Sequence, residues 1–156
     1  PLGRRCDARR QGDAESLPVK SRNRSPLAIS ATAVWLRRRG QILAVRRPPG
    51  GLMGGLWELP GAEFAGRTAP MRALRSTLRT RLGLEALGLK RVGHVEHLFS
   101  HRRLRLFVFR GECAPGRVSR TGFDAHRWVR PGDIASLPHG AATRKALALL
   151  KEGLEQ

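Results

Sequence analysis

Two periodicities divide the chain. Apolar positions (Ala28, Ile29, Ala31, Ala33, Val34, Trp35) make Leu27–Leu36 a strand candidate, and Gln41–Val45 reads as its partner. Arg37-Arg38-Arg39-Gly40 between them predicts a hairpin turn, with glycine where a positive φ is needed. Met71, Leu74, Leu78 and Leu82 recur three and four apart, so Ala69–Leu82 is predicted as a helix with one apolar stripe and Gly83 just past its end. Strand alternation runs over Leu87–Phe109, with a turn expected at Ser100-His101. Phe123–Val129 is expected as a last strand, with Trp128 as a core anchor. Pro131-Gly132-Asp133 should start a short turn or helix, and a C-terminal helix over Ala141–Glu152 should turn Ala146, Leu147, Leu149 and Leu150 inward.

Residues 1–26 lack this order. They are polar, carry no periodicity and include Leu17-Pro18-Val19-Lys20 followed by Ser21-Arg22-Asn23-Arg24-Ser25-Pro26, which is linker composition. Residues 27–156 are then the single domain that a chain of 156 residues can build around one core.

Charge narrows the class of partner. The chain has 30 basic and 12 acidic side chains, a formal net charge of +18, which favours polyanions. An arginine-heavy composition also arises in a GC-rich genome. No apolar run reaches the ~20 residues that cross a bilayer, and the polar N-terminus has no signal-peptide core. These features predict a cytoplasmic protein without a membrane partner. Cys6 and Cys113 give no disulfide framework.

The densest punctuation lies at residues 46–61, Arg-Arg-Pro-Pro-Gly-Gly-Leu-Met-Gly-Gly-Leu-Trp-Glu-Leu-Pro-Gly, between a strand and a helix. Strand, glycine-rich loop, Leu-Trp-Glu-Leu-Pro-Gly and helix in that order resemble the opening of a Nudix domain. The resemblance implies an α+β fold, a Nudix-like α/β/α sandwich around a mixed, partly antiparallel sheet. Nudix hydrolases carry a box, G-x5-E-x7-R-E-U-x-E-E-x-G-U, whose glutamates hold the Mg²⁺ that activates water. Here the first glutamate position is Arg67, and the paired ones are Thr80 and Arg81. No carboxylate lies between Glu63 and Glu85, whereas Arg67, Arg72, Arg75, Arg79 and Arg81 are cationic. A hard divalent cation needs oxygen ligands, usually anionic ones, so the expectation is a scaffold without the hydrolase.

The segment Cys6-Asp7-Ala8-Arg9-Arg10-Gln11-Gly12, then Leu-Pro-Val-Lys, is similar to the seam between two domains of the A/G-specific adenine DNA glycosylases, the MutY family. In that family a helical catalytic domain ends in a 4Fe–4S loop spaced C-x6-C-x2-C-x5-C, and a Nudix-like domain follows. The resemblance makes Cys6 a cluster ligand in the full-length protein alone, because one thiolate cannot hold four irons. No cofactor is expected in this chain. The resemblance also places the glycosylase's acidic catalytic residues in the helical domain, so no catalytic residue is assigned here.

Phe99-Ser100-His101, at a turn between two strands, matches the loop with which these glycosylases read 8-oxoguanine. Oxidation at C8 puts a hydrogen on N7 and a carbonyl on C8. The Ser100 hydroxyl can accept from N7–H while backbone N–H groups of the turn donate to the new oxygen. Phe99 is then a packed anchor or stacking wedge, and His101 a second polar contact to base or backbone. Arg37, Arg38, Arg39, Arg102, Arg103 and Arg105 are candidates for phosphate contacts or for a merely solvated basic face. His94, His97 and His101 have a metal-like spacing, but on a strand His94 and His97 point to opposite faces. Cys113 reads as a passive loop or core thiol.

Together these readings imply an 8-oxoguanine-recognition domain of an adenine DNA glycosylase in base-excision repair. Its partner would be double-stranded DNA with 8-oxoguanine:adenine or guanine:adenine mispairs, bound as a monomer at a bacterial nucleoid. Two other classes fit the same residues: a divergent Nudix hydrolase of nucleoside diphosphate derivatives, and a non-specific nucleic-acid-binding module.

Overall fold

The computed structural model describes residues 26–154. The linker and Cys6 expectations fall outside them. Strands β1 (Leu27–Arg38), β2 (Gln41–Arg46), β3 (Trp57–Glu58), β4 (Glu63–Phe64), β5 (Ala86–Phe99), β6 (Arg102–Cys113) and β7 (Ala125–Val129) form one mixed sheet. Its order is β3-β2-β1-β6-β5, with β4 added on β1 and β7 on β2. Helix α1 (Pro70–Thr77) and helix α2 (Ala141–Leu154) complete the domain.

The strands alternate, so each sheet face holds its own core. Ala31, Ala33, Trp35, Ile42, Leu106 and Val108 pack with Ala146 and Leu150 of α2. Val34, Leu36, Leu43, Val45 and Phe109 pack with Leu74, Leu78 and Leu82. Both inward helical stripes follow the apolar spacing of the sequence. This is the α+β sandwich expected, with one helical layer on each face.

β1 and β6 are the axis. They run parallel from Leu27↔Arg102 to Arg37↔Glu112, and β5 pairs antiparallel with β6 from Ala86↔Cys113 to Phe99↔Arg102. Two basic turns therefore sit at opposite ends of β1. Twelve residues at ~3.3 Å each put them roughly 35 Å apart.

Local bounds differ from the sequence reading in several places, and β1 runs on through Arg37 and Arg38, so the first turn holds only Arg39 and Gly40. The α-helix is shorter than Ala69–Leu82; beyond Thr77 a π-turn spans Leu78–Leu82. Its end is marked by Gly83 at φ 64°, as the glycine position suggested. The wider turn keeps Leu78 and Leu82 inside while carrying Thr80 and Arg81 around the outside. The last strand begins at Ala125 rather than Phe123. Glu63–Phe64 pairs with β1, an added strand too short to have a periodicity.

Gly61 has a steric role. A Cβ there would lie 1.8 Å from the Thr32 carbonyl oxygen, because the Val34 and Thr32 amides donate to the carbonyls of Pro60 and Ala62. This part of the Nudix-like motif is held by backbone packing, whatever became of its carboxylates.

Candidate nucleic-acid interface

The β5–β6 arm ends in a two-residue turn at Ser100 and His101, both exposed, between the paired Phe99 and Arg102. Ser100 has φ 48°, a left-handed conformation that costs a side-chain-bearing residue about 1–2 kcal/mol. The Leu27 amide donates to the His101 carbonyl at 2.7 Å, fixing the turn to the start of β1. Phe99 is half-buried. Its ring lies 5.6 Å from that of His97 and 5.9 Å from the Arg102 guanidinium. The ring supports the turn from one face, and Ser100 is exposed, its hydroxyl without a hydrogen-bond partner among the described residues.

Sheet parity sorts the neighbouring cations. Arg102 shares the α2 face with Phe99, where it reaches Glu63 at 3.5 Å. Arg103 and Arg105 lie on the opposite face. Arg105 is paired with Glu96 at 3.0 Å, and its guanidinium holds the Glu96 carboxyl below the usual range. Arg103 is exposed and has no ion pair among the described residues.

Arg37, Arg38 and Arg39 occupy the other turn. Arg39 (φ 51°) and Gly40 (φ 76°) form it. Arg38 departs from the expectation of a phosphate contact. Its guanidinium donates to the Ala114 carbonyl at 2.7 Å and to Cys113 Sγ at 2.9 Å, and it stacks 4.7 Å over Trp128. Arg37 approaches Glu112 at 3.9 Å, and Arg39 is exposed. Cys113 is buried; burial pushes its thiol pKa up, against the nearby Arg38 charge.

Histidines 94 and 97 separate as strand parity requires. His94 packs near Phe107 at 6.1 Å. His97 faces α2, where Lys145 Nζ is 3.1 Å from its Nδ1. Burial, then the charges of Lys145 and Arg144, lowers the His97 pKa. The spacing of the histidines could not show this contact, since Lys145 comes from a distant helix.

A cleft of about 940 Å³ runs along the α2 face, from Phe99, His97 and Arg102 past the glycine-rich loop to Arg81 and Phe123. Its carboxylates are engaged. Glu58 accepts from Arg47 at 3.1 and 3.2 Å. Burial raises the Glu58 pKa, opposed chiefly by Arg47. At the Nudix glutamate positions, Thr80 Oγ1 donates to the Ser76 carbonyl at 2.8 Å, and Arg81 stacks 5.1 Å over Phe123. A metal-binding glutamate set is replaced by a hydroxyl and a guanidinium.

The NUDIX domain family matches residues 31–149. The chain belongs to this family. Human adenine DNA glycosylase is 34% identical over 137 residues, covering 83% of this chain and 25% of the human protein. The mouse enzyme is 29% identical over 88% of this chain and 28% of its own length. The chain thus spans about a quarter of the glycosylases it matches. CTP pyrophosphohydrolase of Escherichia coli is 27% identical over 70% of this chain and 82% of that protein.

Solved structures agree on the fold. The C-terminal domain of mouse MUTYH, from its complex with human PCNA, superposes with a TM-score of 0.62 at 22% identity, over 83% of this chain and 90% of that one. The E. coli ORF135 protein gives 0.70 at 25% identity, over 81% and 91%. The hydrolase-like scaffold and the absent carboxylates therefore stand side by side in this Nudix domain, whose α1 region does not fit a divalent cation. No helix among the described residues is long and apolar enough to cross a membrane.

Proposed function

We propose that this Nudix domain is the lesion-reading part of an adenine DNA glycosylase acting in base-excision repair. The observation that carries the reading is the Ser100 turn: an exposed hydroxyl at φ 48° on the end of a two-stranded arm. Similarity to mammalian adenine DNA glycosylases over most of the chain supports it. Ser100 Oγ accepts the N7–H of 8-oxoguanine, and turn amides donate to its C8 carbonyl. Phe99 holds the turn, His101 adds a polar contact, and Arg102 and Arg103 meet phosphates. The DNA is a duplex carrying 8-oxoguanine or guanine opposite adenine. Excision belongs to a helical domain beyond this chain, where Cys6 completes a 4Fe–4S site.

One paired contact to a base edge discriminates by roughly 1–3 kcal/mol, and an unmatched buried acceptor costs about as much. In the complete enzyme, Ser100→Ala is expected to lower the preference for 8-oxoguanine over guanine opposite adenine roughly ten- to a hundredfold. An unchanged ratio removes Ser100 from the account.

The similarity to CTP pyrophosphohydrolase favours a second reading, hydrolysis of a nucleoside diphosphate derivative. Mg²⁺-dependent release of phosphate or pyrophosphate from a nucleotide panel would support it; the carboxylate-free α1 predicts none.

A further inference from the structure

Helix α1 covers only part of its sheet face. Its apolar stripe meets Val34, Leu36 and Phe109. Towards the arm's tip the same face continues through the pairs His94↔Phe107, Glu96↔Arg105 and Leu98↔Arg103, flanked on β1 by Ser30 and Ala28. Leu98 is 60% exposed, and His94, Glu96, Arg103 and Arg105 are exposed as well. The surface is aromatic. Phe64 and His94 approach Phe107 at 6.0 and 6.1 Å, and the Arg91 guanidinium lies 4.7 Å from its centre. It is also cationic: Arg91, Arg103 and Arg105 face a single carboxylate, Glu96, already bound by Arg105 at 3.0 Å.

We propose that this open half-face is a platform for an unpaired stretch of nucleic acid. Unpaired bases stack on imidazole, phenyl and guanidinium planes, which His94, Phe107 and Arg91 supply side by side. Arg103 and Arg105, about 7 Å apart along β6, lie within reach of successive phosphates. Paired bases hide their faces, so a duplex gains the charge but not the stacking. The surplus of guanidinium over carboxylate disfavours a basic partner, and the rings distinguish the patch from a plain solvated basic surface. The platform does not require the lesion chemistry at Ser100, so either reading can fail without the other.

The test is fluorescence anisotropy with a labelled oligothymidylate single strand and a blunt duplex of equal length, over a salt series. The full chain should bind the single strand more tightly. His94→Ala, an exposed change, should weaken single-strand binding roughly five- to a hundredfold and duplex binding less. Arg103→Ala should weaken single-strand binding and lower the salt slope by about 0.7. Arg130→Ala, on the exposed loop after β7, should do neither to the same degree. Tighter binding of the duplex, no loss in His94→Ala, equal losses in Arg103→Ala and Arg130→Ala, or no binding of either oligonucleotide at low salt would each overturn the proposal.

Discussion

The two basic turns at the ends of β1 are alike locally and opposite in their surroundings. Each is a two-residue connection, and each places a residue other than glycine in the left-handed region, Arg39 at 51° and Ser100 at 48°. The Arg39 turn is followed by Gly40, which takes its positive φ of 76° at no steric cost. Its neighbour Arg38 is drawn back onto Ala114, Cys113 and Trp128. The Ser100 turn has no glycine and leaves Ser100, His101 and Arg103 in solvent. Leu27 and Leu98 beside it are 64% and 60% exposed. Similar backbones, then, close onto the core at one end and stay open to solvent at the other.

The largest effect should come from cutting the closed end loose. Arg38→Ala removes a charged donor from the Ala114 carbonyl and from Cys113 and should cost about 1–3 kcal/mol in urea unfolding. Lysine, lacking the planar fork that also stacks on Trp128, should not restore it. Glycine exchange comes next. Gly40→Ala should destabilise by about 1 kcal/mol. Ser100→Gly relieves about 1–2 kcal/mol but frees the unfolded chain by about 0.5–1 kcal/mol, leaving a gain of up to about 1.5 kcal/mol alongside lost lesion preference. If Ser100→Gly instead unfolds the domain, the turn is structural and the contrast between the ends collapses.

Acid should act on the arm more gradually. His97 has a lowered pKa, caused first by burial and then by Lys145 and Arg144. Its neutral form is therefore favoured by folding. That stability is present above the ordinary histidine pKa of 6.5 and is lost as pH falls below it through the lowered folded-state value. His126, lowered by burial and by Arg120, adds with the same sign. Melting temperature should decline as pH falls below about 6.5, and His97→Gln should flatten part of that decline. The smallest effect belongs to Arg103→Ala, within about 0.5 kcal/mol of wild-type stability, because it holds no partner among the described residues.

Sequence reading located both turns because turn chemistry is local: Gly40 announces one, and broken alternation at Ser100 the other. Leu74, Leu78 and Leu82 were equally legible, since a helical stripe needs only its own spacing. The role of Arg38 was not. Its partner Cys113 lies 75 residues away, across the parallel β1–β6 pairing that no short-range pattern encodes. The same holds for Lys145 against His97, 48 residues apart. Arg81 could be recognised as a lost carboxylate, but its stacking on Phe123 required the fold. The open half-face of the sheet escaped for another reason: alternation says which residues share a face, and only the short α1 says how far that face is covered.

The hydrogen bond from Leu27 to His101 has a mechanical consequence. The first strand enters the sheet beside the Ser100 turn, not at the domain's far rim. Any pull or rotation transmitted through the polypeptide upstream of Leu27 reaches that loop across one amide–carbonyl link of 2.7 Å. Among the described residues the chain thus enters the fold at the tip of the arm, beside Ser100 and His101.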